Sequence, residues 1–472
     1  MLKLMTSLCL CLSTLSYGFS LPLVDAFNQH HIMALSVKDL QTGEMLFEKH
    51  GDLMLPPAST LKLATAFAAI HQIDRDTSLD ADFKAFGRVE RHSFYGDIEL
   101  SFDQDPSFDR KTLVEWFSAF ASQHNFDHLE GNIVIKDAAH PIPGVFFEET
   151  ADCYASQPHD AIINRNCLTL KITPGKQGQT AKLESLNKLP GILIDNQVVT
   201  THTCNSDNNT SVHTSWSDAS SNIITLPEHP LSLHGCISTT HQPLMIKISP
   251  EHQPFIRANI IRALKQSGLS HDGDIIWSND GRPPSDHALF HTTHHSKPMI
   301  KMIHKMLQDS DNHIAHTLFN HTTRHTQWQD QEADIKQTLL QHGVDLSSAS
   351  ITEGSGLSRN NAISTHQMID LLDAIYHDPL SQEMIVPSLP ISGSSGTLSY
   401  RFRHLPKGAL LKAKTGTLKQ VKSLAGYLII DKHPYALALI AMGDKSTPDA
   451  LLDVEDTLFS NLVTMLRHHQ YS

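Results

Sequence analysis

An apolar run with a serine and a lysine near its start constrains this chain more than any other segment. Residues 56–70 read Pro-Pro-Ala-Ser-Thr-Leu-Lys-Leu-Ala-Thr-Ala-Phe-Ala-Ala-Ile. Two prolines end the preceding structure, and the Ala- and Leu-rich segment then predicts a buried helix. Ser59 and Lys62 are three residues apart, so hydroxyl and amine share one helix face. A serine beside an amine at a helix N-terminus is a candidate nucleophile.

Length and charge limit the classes of protein to which this chain can belong. At 472 residues it is expected to form two or three domains. A hydrophobic content of 40% and a charged content of 18% are typical of globular proteins. The net charge of -13 argues against nucleic acid as a partner.

The first 20 residues have the pattern of a secretory signal peptide. Lys3 provides a positive start, an apolar run covers residues 8–15, and the small residues Gly18 and Ser20 precede Leu21. The run is too short to span a bilayer, and no later stretch reaches membrane length. We therefore expect an exported, periplasmic protein with no transmembrane segment in its mature chain.

Four cysteines follow the predicted signal peptide, at positions 153, 167, 204 and 236. In an exported protein they predict two disulfides, for which three connectivities exist. The local pairing Cys153–Cys167 and Cys204–Cys236 is favoured, with one disulfide or none as the alternative. The spacings are too wide for a zinc site.

The order of helical and strand-like segments predicts a multidomain α+β protein. A hairpin at 33–40 and 45–49 precedes the serine helix, and antiparallel strands are expected at 410–417, 424–430 and 435–441. Helices are expected at 255–267, 299–307, 314–319, 368–376 and 451–466. We divide the chain into a main domain (21–80 and 285–472), an inserted domain (81–165 and 240–284) and a smaller nested β-rich domain (166–239).

Three short motifs stand in a fixed order along the chain. They are Ser59-x-x-Lys62, Ser310-x-Asn312 and Lys414-Thr415-Gly416. Each motif alone is a weak signal. Together, and each in the local structure that its chemistry needs, they form the penicilloyl-serine transferase signature.

The motifs predict a division of catalytic work. Ser59 would attack a carbonyl carbon, and a neutral Lys62 would take its proton. Burial and the charge of Lys414 would lower the pKa of Lys62 enough for this role. Ser310 would pass a proton to the leaving group, and the amide of Asn312 would hold the substrate backbone.

The third motif supplies the remaining contacts. The backbone N–H groups of Ser59 and Thr417 are expected to form the oxyanion hole. Lys414, Thr415, Gly416 and Thr417 are expected to bind the substrate, with its carboxylate on the lysine and the two threonines.

On these motifs the chain resembles the D-alanyl-D-alanine carboxypeptidase/endopeptidases of the penicillin-binding protein 4 type, the class C low-molecular-mass penicillin-binding proteins. The resemblance also covers residues 354–359, 388–390 and 396–398. This family inserts two extra domains between its first and second motifs, and Ser59 and Ser310 are about 250 residues apart.

The resemblance implies a serine β-lactamase-like fold, with an antiparallel sheet flanked by helices and a nested β-rich insertion. It also implies removal of the terminal D-Ala from peptidoglycan stem peptides and cleavage of their D-Ala–diaminoacid cross-links through an acyl-Ser59 intermediate. β-Lactam antibiotics would acylate the same serine, and no cofactor would be needed.

Two positions depart from the family pattern. Glu353 stands where the family usually has aspartate, and His316 stands where it usually has glutamate after Ala315. We expect these differences to affect fine specificity and not the class of reaction.

A serine β-lactamase shares the three motifs and is the nearest alternative. Its class A form needs a second base, in a Glu-x-x-Leu-Asn loop between the second and third motifs. The segment 184–187, Glu-Ser-Leu-Asn, is one residue short and precedes the second motif. A non-catalytic wall-binding protein is a further alternative, against which the intact Ser59, Lys62, Ser310 and Lys414 argue.

A histidine-rich segment is the remaining candidate for chemistry. His291, His294 and His295 could bind a metal. An exposed loop is the expectation there, and no metal is predicted, because serine acyl transfer needs none.

Overall fold

A computed structural model describes residues 21–140, 153–190, 192, 194–204, 210–216, 231–278, 287–323, 327–444 and 446–470. The segment 1–20, for which a signal peptide is predicted, lies outside the described residues. Among the described residues, none of the helices has the length and apolar character needed to cross a membrane.

The described residues form ten α-helices and eighteen strands. The α-helices are α1 (Pro22–Phe27), α2 (Lys62–Gln72), α3 (Arg110–His124), α4 (His252–Gln266), α5 (Met299–Asp309), α6 (Asn312–His321), α7 (Trp328–Gln341), α8 (Thr365–His377), α9 (Pro379–Met384) and α10 (Thr447–Gln470). The strands are β1 (Ile32–Asp39), β2 (Met45–Lys49), β3 (Asp80–Glu90), β4 (Ser93–Ser101), β5 (His128–Glu130), β6 (Ile133–Lys136), β7 (Leu168–Thr173), β8 (Lys182–Ser185), β9 (Ile194–Thr201), β10 (Thr210–Trp216), β11 (Leu231–Ser238), β12 (Leu244–Ile248), β13 (Ser270–Asp272), β14 (Ile275–Trp277), β15 (Phe290–His295), β16 (Ala409–Leu418), β17 (Val421–Ile430) and β18 (His433–Met442).

A five-stranded antiparallel sheet carries the candidate site. Its order is β16-β17-β18-β1-β2, so the predicted hairpin β1–β2 and the three predicted C-terminal strands form one sheet. Strand β1 pairs with β18 over its whole length, with Ile32 opposite Met442. The sheet therefore joins the two ends of the described chain.

Helices cover both faces of this sheet because its strands alternate between two apolar cores. On β18, Ala438 and Ile440 face the core that contains α2, α5, α6 and α8. Leu437 and Leu439 face the opposite core, with α1 and α10. This alternation follows from the two-residue period of a strand.

The described residues in the middle of the chain form three further sheets. Strands β13, β5, β4, β3 and β15, joined by β6 and β14, form one sheet that packs with α3 and α4 around a separate core. Strands β12-β7-β8 and β10-β11-β9 form two three-stranded sheets. The disulfides Cys153–Cys167 and Cys204–Cys236 lie in this middle region, which confirms the local pairing.

The histidine-rich segment corrects one expectation. Residues 290–295 form strand β15, paired with β3, and not an exposed loop. β15 is an edge strand, and its histidines and threonines are exposed or only partly buried, as polar side chains on the solvent-facing part of an antiparallel sheet are. The polar composition of residues 290–295 therefore explains why the sequence did not predict a strand there.

Candidate active site

Ser59 lies in a tight turn at the start of a buried helix. The expectation of an α-helical first turn is corrected in detail: residues Ala58–Leu61 form a 3₁₀ turn, and α2 begins at Lys62. Ala58 has a φ of 49°, which is uncommon for a residue other than glycine and is typical of functional turns. Ser59 is partly exposed and Lys62 is completely buried.

The Lys62 amine is held by three acceptors. Its Nζ atom donates to Ser59 Oγ at 2.9 Å, to Asn312 Oδ1 at 2.7 Å and to the carbonyl oxygen of Ser355 at 2.6 Å. An ammonium has three N–H donors and satisfies all three acceptors. A neutral amine would keep two of these bonds and offer its lone pair to the third partner, which suits proton transfer from Ser59.

Burial sets the protonation state of this amine. It lowers the pKa of Lys62 from 10.5 to about 7, and the carboxylates of Glu353 and Asp311 partly oppose the shift. A substantial fraction of the amine is therefore neutral near pH 7, as a general base requires.

Lys414 and Ser310 form a second contact. Lys414 Nζ donates to Ser310 Oγ at 2.9 Å and to the carbonyl oxygen of Thr415 at 2.7 Å. Lys414 is fully buried, and burial together with the charge of Lys62 lowers its pKa well below 10.5. Ser310, with a φ of 59°, ends α5.

One helix ends and the next begins within the second motif, since α5 ends at Asp309 and α6 begins at Asn312. The side chain of Asp311 begins α6 by accepting from the N–H of Ile314 at 3.2 Å, and it forms an ion pair with Arg165. A carboxylate that accepts a helix N-terminal N–H is a favourable cap. Asp311 therefore fixes the short connection that carries Ser310 and Asn312.

Asn312 is shared between the serine turn and the middle region. Its Oδ1 accepts from Lys62, and its Nδ2 donates to the carbonyl oxygen of Tyr154 at 2.7 Å. The amide donor expected to hold the substrate is therefore bonded to Tyr154. A substrate carbonyl at this position must replace that contact.

Strand β16 brings the third motif against the serine turn. A Cβ at Gly416 would lie 2.9 Å from the backbone nitrogen of Ser59 and 2.1 Å from Ser423 Oγ, so only glycine lets the strand pass here. Thr415 Oγ1 donates to Thr397 Oγ1 at 2.7 Å, and Thr417 is exposed. β16 is an edge strand of the sheet. Residues 390–392 pair with its first half, since the N–H of Ala413 donates to the Pro390 carbonyl oxygen at 3.0 Å. A substrate chain could extend this edge only beyond Ala413, along the third motif.

The structure thus brings the predicted residues together in two directly bonded groups. Ser59, Lys62 and Asn312 form one group, and Ser310 and Lys414 form the other. The two amines interact electrostatically. Thr415, Gly416 and Thr417 follow Lys414 on the strand that borders Ser59.

Two buried residues outside the three motifs, Glu353 and His316, lie near Lys62 and support its position. Buried Glu353 accepts from the N–H groups of Ser355 at 2.6 Å and Ser358 at 3.2 Å, and from Asn361 Nδ2 at 2.7 Å. It thereby orders the turn whose Ser355 carbonyl holds Lys62. His316 Nδ1 lies 3.4 Å from Glu353 Oε2.

The two departures from the family pattern are therefore in contact with each other. Burial lowers the pKa of His316 to about 4, against the pull of Glu353. Burial raises the pKa of Glu353, but His316, the hydrogen bonds from Ser355 and the charge of Lys62 together outweigh it and lower that pKa. Near pH 7 the pair is a neutral imidazole beside a carboxylate. The sequence signal was the coincidence of two unusual residues.

The histidines of β15 do not converge on one point. His291, His294 and His295 contact separate carboxylates, Asp82, Asp105 and Asp80, at 3.1, 3.1 and 2.7 Å. These contacts pair each imidazole with its own acid, so the segment does not form a metal-binding cluster.

One other group in the described residues could hold a metal by spacing, namely Asp137, His159 and His252. Both imidazoles lie within 3.2 Å of Asp137 Oδ2. Asn166 Nδ2 lies 3.3 Å from His252 Nδ1, and its orientation is fixed because Asn166 Oδ1 accepts from a backbone N–H. This network places the proton of His252 on Nε2, toward Asp137, which favours a metal-free cluster.

The sequence also matches a known protein family. The model of the D-Ala-D-Ala carboxypeptidase 3 (S13) family matches residues 24–458, which confirms the resemblance drawn from the motifs. The chain is 24% identical over 437 residues to D-alanyl-D-alanine carboxypeptidase DacB of Haemophilus influenzae, with 88% of each chain covered.

Solved structures show the same fold. The crystal structure of penicillin-binding protein 4 from Haemophilus influenzae aligns with a TM-score of 0.79 at 22% identity, over 93% of this chain and 99% of that one. The same protein complexed with a β-lactam aligns with a TM-score of 0.72 at 21% identity, with the same coverage. The predicted mixed fold with an antiparallel sheet flanked by helices is confirmed at this level.

Proposed function

The chain belongs to the D-Ala-D-Ala carboxypeptidase 3 (S13) family, and from this premise we propose that it is a serine DD-peptidase of peptidoglycan. It removes the terminal D-Ala from stem peptides and cleaves D-Ala–diaminoacid cross-links. The observation that carries the proposal is the 2.9 Å contact between Ser59 Oγ and the buried amine of Lys62, whose pKa is lowered to about 7.

Acylation begins with proton transfer. Neutral Lys62 takes the Ser59 proton while Oγ attacks the carbonyl carbon of the penultimate D-Ala. The backbone N–H groups of Ser59 and Thr417 stabilise the resulting oxyanion, and each such donor is worth about 10²–10³ in rate. Ser310, bonded to Lys414, relays a proton to the departing amine.

The leaving group decides which activity is observed. When the departing amine belongs to free D-Ala, the enzyme acts as a carboxypeptidase. When it belongs to the side chain of a diaminoacid, the enzyme acts as an endopeptidase. In both cases Lys62 is neutral again once the amine has left with its proton, and water then attacks the acyl-Ser59 ester. Lys62 takes a proton from the attacking water and returns it to the Ser59 oxygen as the acid leaves.

The third motif recognises the substrate end. Lys414 with the hydroxyls of Thr415 and Thr417 binds the terminal carboxylate, while β16 and Gly416 lie along the peptide. A bound carboxylate favours the charged form of Lys414, because an adjacent opposite charge raises the pKa of an amine. Asn312 exchanges its Tyr154 contact for a substrate carbonyl.

β-Lactams acylate Ser59 in the same way, as the β-lactam complex of the Haemophilus influenzae relative suggests. The intact mass after incubation with penicillin should increase by one penicilloyl group in the wild type and not in Ser59→Ala. Ser122→Ala, an exposed serine of α3, is the matched control and should be labelled fully. Covalent labelling of Ser59→Ala would contradict the proposal.

A β-lactamase function finds no support in the described residues. Glu184, the nearest match to its second base, lies in strand β8, and the side chain of Asn187 accepts from the N–H of Thr169 at 2.7 Å. Slow release of the penicilloyl group is therefore expected, as the return of free Ser59 over hours would show.

We also propose the three domains expected from the sequence, with two of their bounds moved, and an exported, periplasmic location. The main five-stranded sheet uses only residues from 21–80 and 285–472, which supports the division. Strands β12 and β15 pair with β7 and β3, so we place the ends of the nested and inserted domains after these strands. The two disulfides support an oxidising compartment.

A further inference from the structure

A strongly basic cleft lies beside the second motif, in a chain whose net charge is -13. It has a volume of about 510 Å³. Its six cationic side chains are Arg110, Arg165, Lys247, Lys297, Lys301 and Lys305, and its only acid is Asp109. We call it the basic cleft.

Most of these cations lack a protein counter-ion. Arg165 pairs with Asp311, and Lys305 pairs with Asp309 at 2.5 Å. Within the described part of the chain, Lys247, Lys297 and Lys301 form no ion pair, and all three are exposed.

The positive charge of Arg110 is also balanced only in part by an acidic neighbour. Its Nη1 donates to Asn259 Oδ1 at 3.2 Å, which is a neutral acceptor. Burial and the neighbouring Arg262 lower its pKa, while Asp109 opposes the shift only in part. The Asp109 carboxylate is occupied in capping α3 through the N–H of Thr112 at 3.0 Å. The cleft therefore presents concentrated positive charge to solvent.

The position of the cleft connects it to catalysis. Lys301, Met302 and Lys305 belong to α5, which ends at Ser310, and Ile314 of α6 lies on its wall. Arg165 contacts Asp311, the residue between Ser310 and Asn312. The cleft is thus connected, through α5 and the Arg165–Asp311 pair, to Ser310, the proposed proton donor to the leaving amine.

The chemistry of the wall fits a peptide with several carboxylates. Guanidinium and ammonium groups bind carboxylates by charge-assisted hydrogen bonds, and cavities of about 300–1,000 Å³ hold small ligands. Exposed Leu186 adds apolar surface for alanine methyl groups and methylene chains, and the buried Phe108, Met302 and Ile314 lie behind the wall. Stem peptides have this mixture of free carboxylates and short aliphatic side chains.

We propose that the basic cleft binds the carboxylates of the second stem peptide in cross-linked peptidoglycan, and so favours cross-link cleavage. This inference rests on the proposed function. The second stem supplies the amine that leaves, so it extends from the Ser310 side of the site toward the cleft.

The test compares two substrates on the full chain. One is a purified cross-linked muropeptide dimer, and the other is a blocked tripeptide ending in D-Ala-D-Ala, whose only carboxylate is terminal. In Lys297→Glu/Lys301→Glu, the ratio of kcat/KM for the dimer to that for the tripeptide should fall by about tenfold. The control Lys265→Glu, on exposed α4 surface, should keep the wild-type ratio.

The charge reversal is compatible with folding because Lys301 lies in the first turn of α5, where an acidic side chain favours the helix dipole. Salt gives a second readout. Raising NaCl from about 20 to about 500 mM should lower the ratio in the wild type and change it little in the double variant, because salt screens exposed charges. An unchanged ratio in the double variant would overturn the proposal.

Two further measurements distinguish failure of this inference from failure of the proposed function. Ser59→Ala does not cleave the dimer, so its affinity for the dimer measures binding by the basic cleft. This affinity can be measured even if the wild type releases no D-Ala and the proposed function fails. Inorganic polyphosphate is the competing probe. If polyphosphate binds through Lys297 and Lys301 while the dimer does not, the cleft recognises phosphate polymers and the proposal is wrong.

Discussion

At the residue scale, the protein places two buried amines next to each other and neutralises neither with a direct ion pair in the described residues. Lys62 is bonded to a hydroxyl, a side-chain amide and a backbone carbonyl oxygen, and Lys414 to a hydroxyl and a backbone carbonyl oxygen. Neutral acceptors satisfy the N–H groups without stabilising the charge as strongly as a carboxylate would. This choice of partners keeps at least one amine available as a base near pH 7.

The protonation of Lys62 predicts how acylation depends on pH. The second-order rate of penicillin acylation should increase as pH rises through about 7, since the neutral amine is the base and the pKa of Lys62 is about 7. Lys62→Met should lower this rate by about 10²–10⁴ and remove that limb of the profile. A stopped-flow pH series measures both, with Lys265→Met as the control. A wild-type rate independent of pH between 5.5 and 8.5, about 1.5 units on either side, would argue against Lys62 as the base.

His316 predicts the stability of the protein in acid. Its pKa in the fold is about 4, against 6.5 for an ordinary histidine, so the unfolded chain binds the extra proton first. Stability should therefore be complete above about pH 6.5 and fall as the pH decreases toward 4, by up to about 3 kcal/mol. Denaturant unfolding of the wild type and His316→Gln from pH 7.5 to 4.5 measures this difference. Parallel curves for the two proteins would contradict it.

At the element scale, the edge strand β16 must approach the serine turn closely. Gly416 is the point of approach, and its neighbours are the Ser59 backbone and Ser423, whose hydroxyl donates to the Pro57 carbonyl oxygen at 2.5 Å. The turn and the strand are thus held together from both sides. This arrangement aligns the third motif with the nucleophile.

Gly416→Ala should therefore damage catalysis more than folding. Its Cβ would lie 2.9 Å from the Ser59 nitrogen and push the strand away, so kcat/KM should fall by at least about a hundredfold, comparable to losing an oxyanion-hole donor. Gly175→Ala, where the nearest atom to the new Cβ is 3.4 Å away, is the control and should keep full activity. Activity and thermal unfolding measured together distinguish the two effects. Wild-type activity in Gly416→Ala would show that β16 does not constrain the nucleophile.

The elements that the sequence predicted correctly are those with strong local patterns. The hairpin β1–β2, the strands β16–β18 and the helices α4, α5 and α10 have clear apolar periodicity. Helix α7 was missed because polar Gln331 and Thr338 share its buried face with Ile335 and Leu339. Helix α3 was missed although Leu113, Trp116, Phe117 and Phe120 have helical spacing.

The site was predictable for a different reason, since its motif residues have fixed spacings within short segments. The contacts that complete the site join distant segments. The Tyr154 carbonyl bonded to Asn312 and the Ser355 carbonyl bonded to Lys62 are backbone atoms, which any residue type could supply. Only the folded structure reveals such acceptors.

At the scale of the whole molecule, one disulfide of the middle region lies next to two residues that contact the active site. Cys153 and Cys167 flank Tyr154, whose carbonyl accepts from Asn312, and Arg165, which pairs with Asp311. The second disulfide joins Cys204, which follows β9, to Cys236 within β11. Loss of the first disulfide should therefore lower catalytic activity more than loss of the second.

Removing the disulfides one at a time tests this difference. Cys153→Ser/Cys167→Ser opens a 14-residue separation and should cost about 3 kcal/mol of stability and also lower kcat/KM. Cys204→Ser/Cys236→Ser should cost a similar free energy and leave kcat/KM unchanged at a temperature where both variants are folded. Calorimetry and D-Ala release measure the two quantities. Equal activity losses would contradict a specific role for the first disulfide.

The pairing of β1 with β18 has a consequence for how the molecule is made. A chain is synthesised from its N-terminus, so Ser59 emerges early, while β16 and β18 emerge last. The sheets of the middle region can close before then, because their strands end at β15. The third motif therefore reaches the nucleophile only when nearly the entire polypeptide has been made, and a product truncated before β16 lacks Lys414 and the strand that borders Ser59.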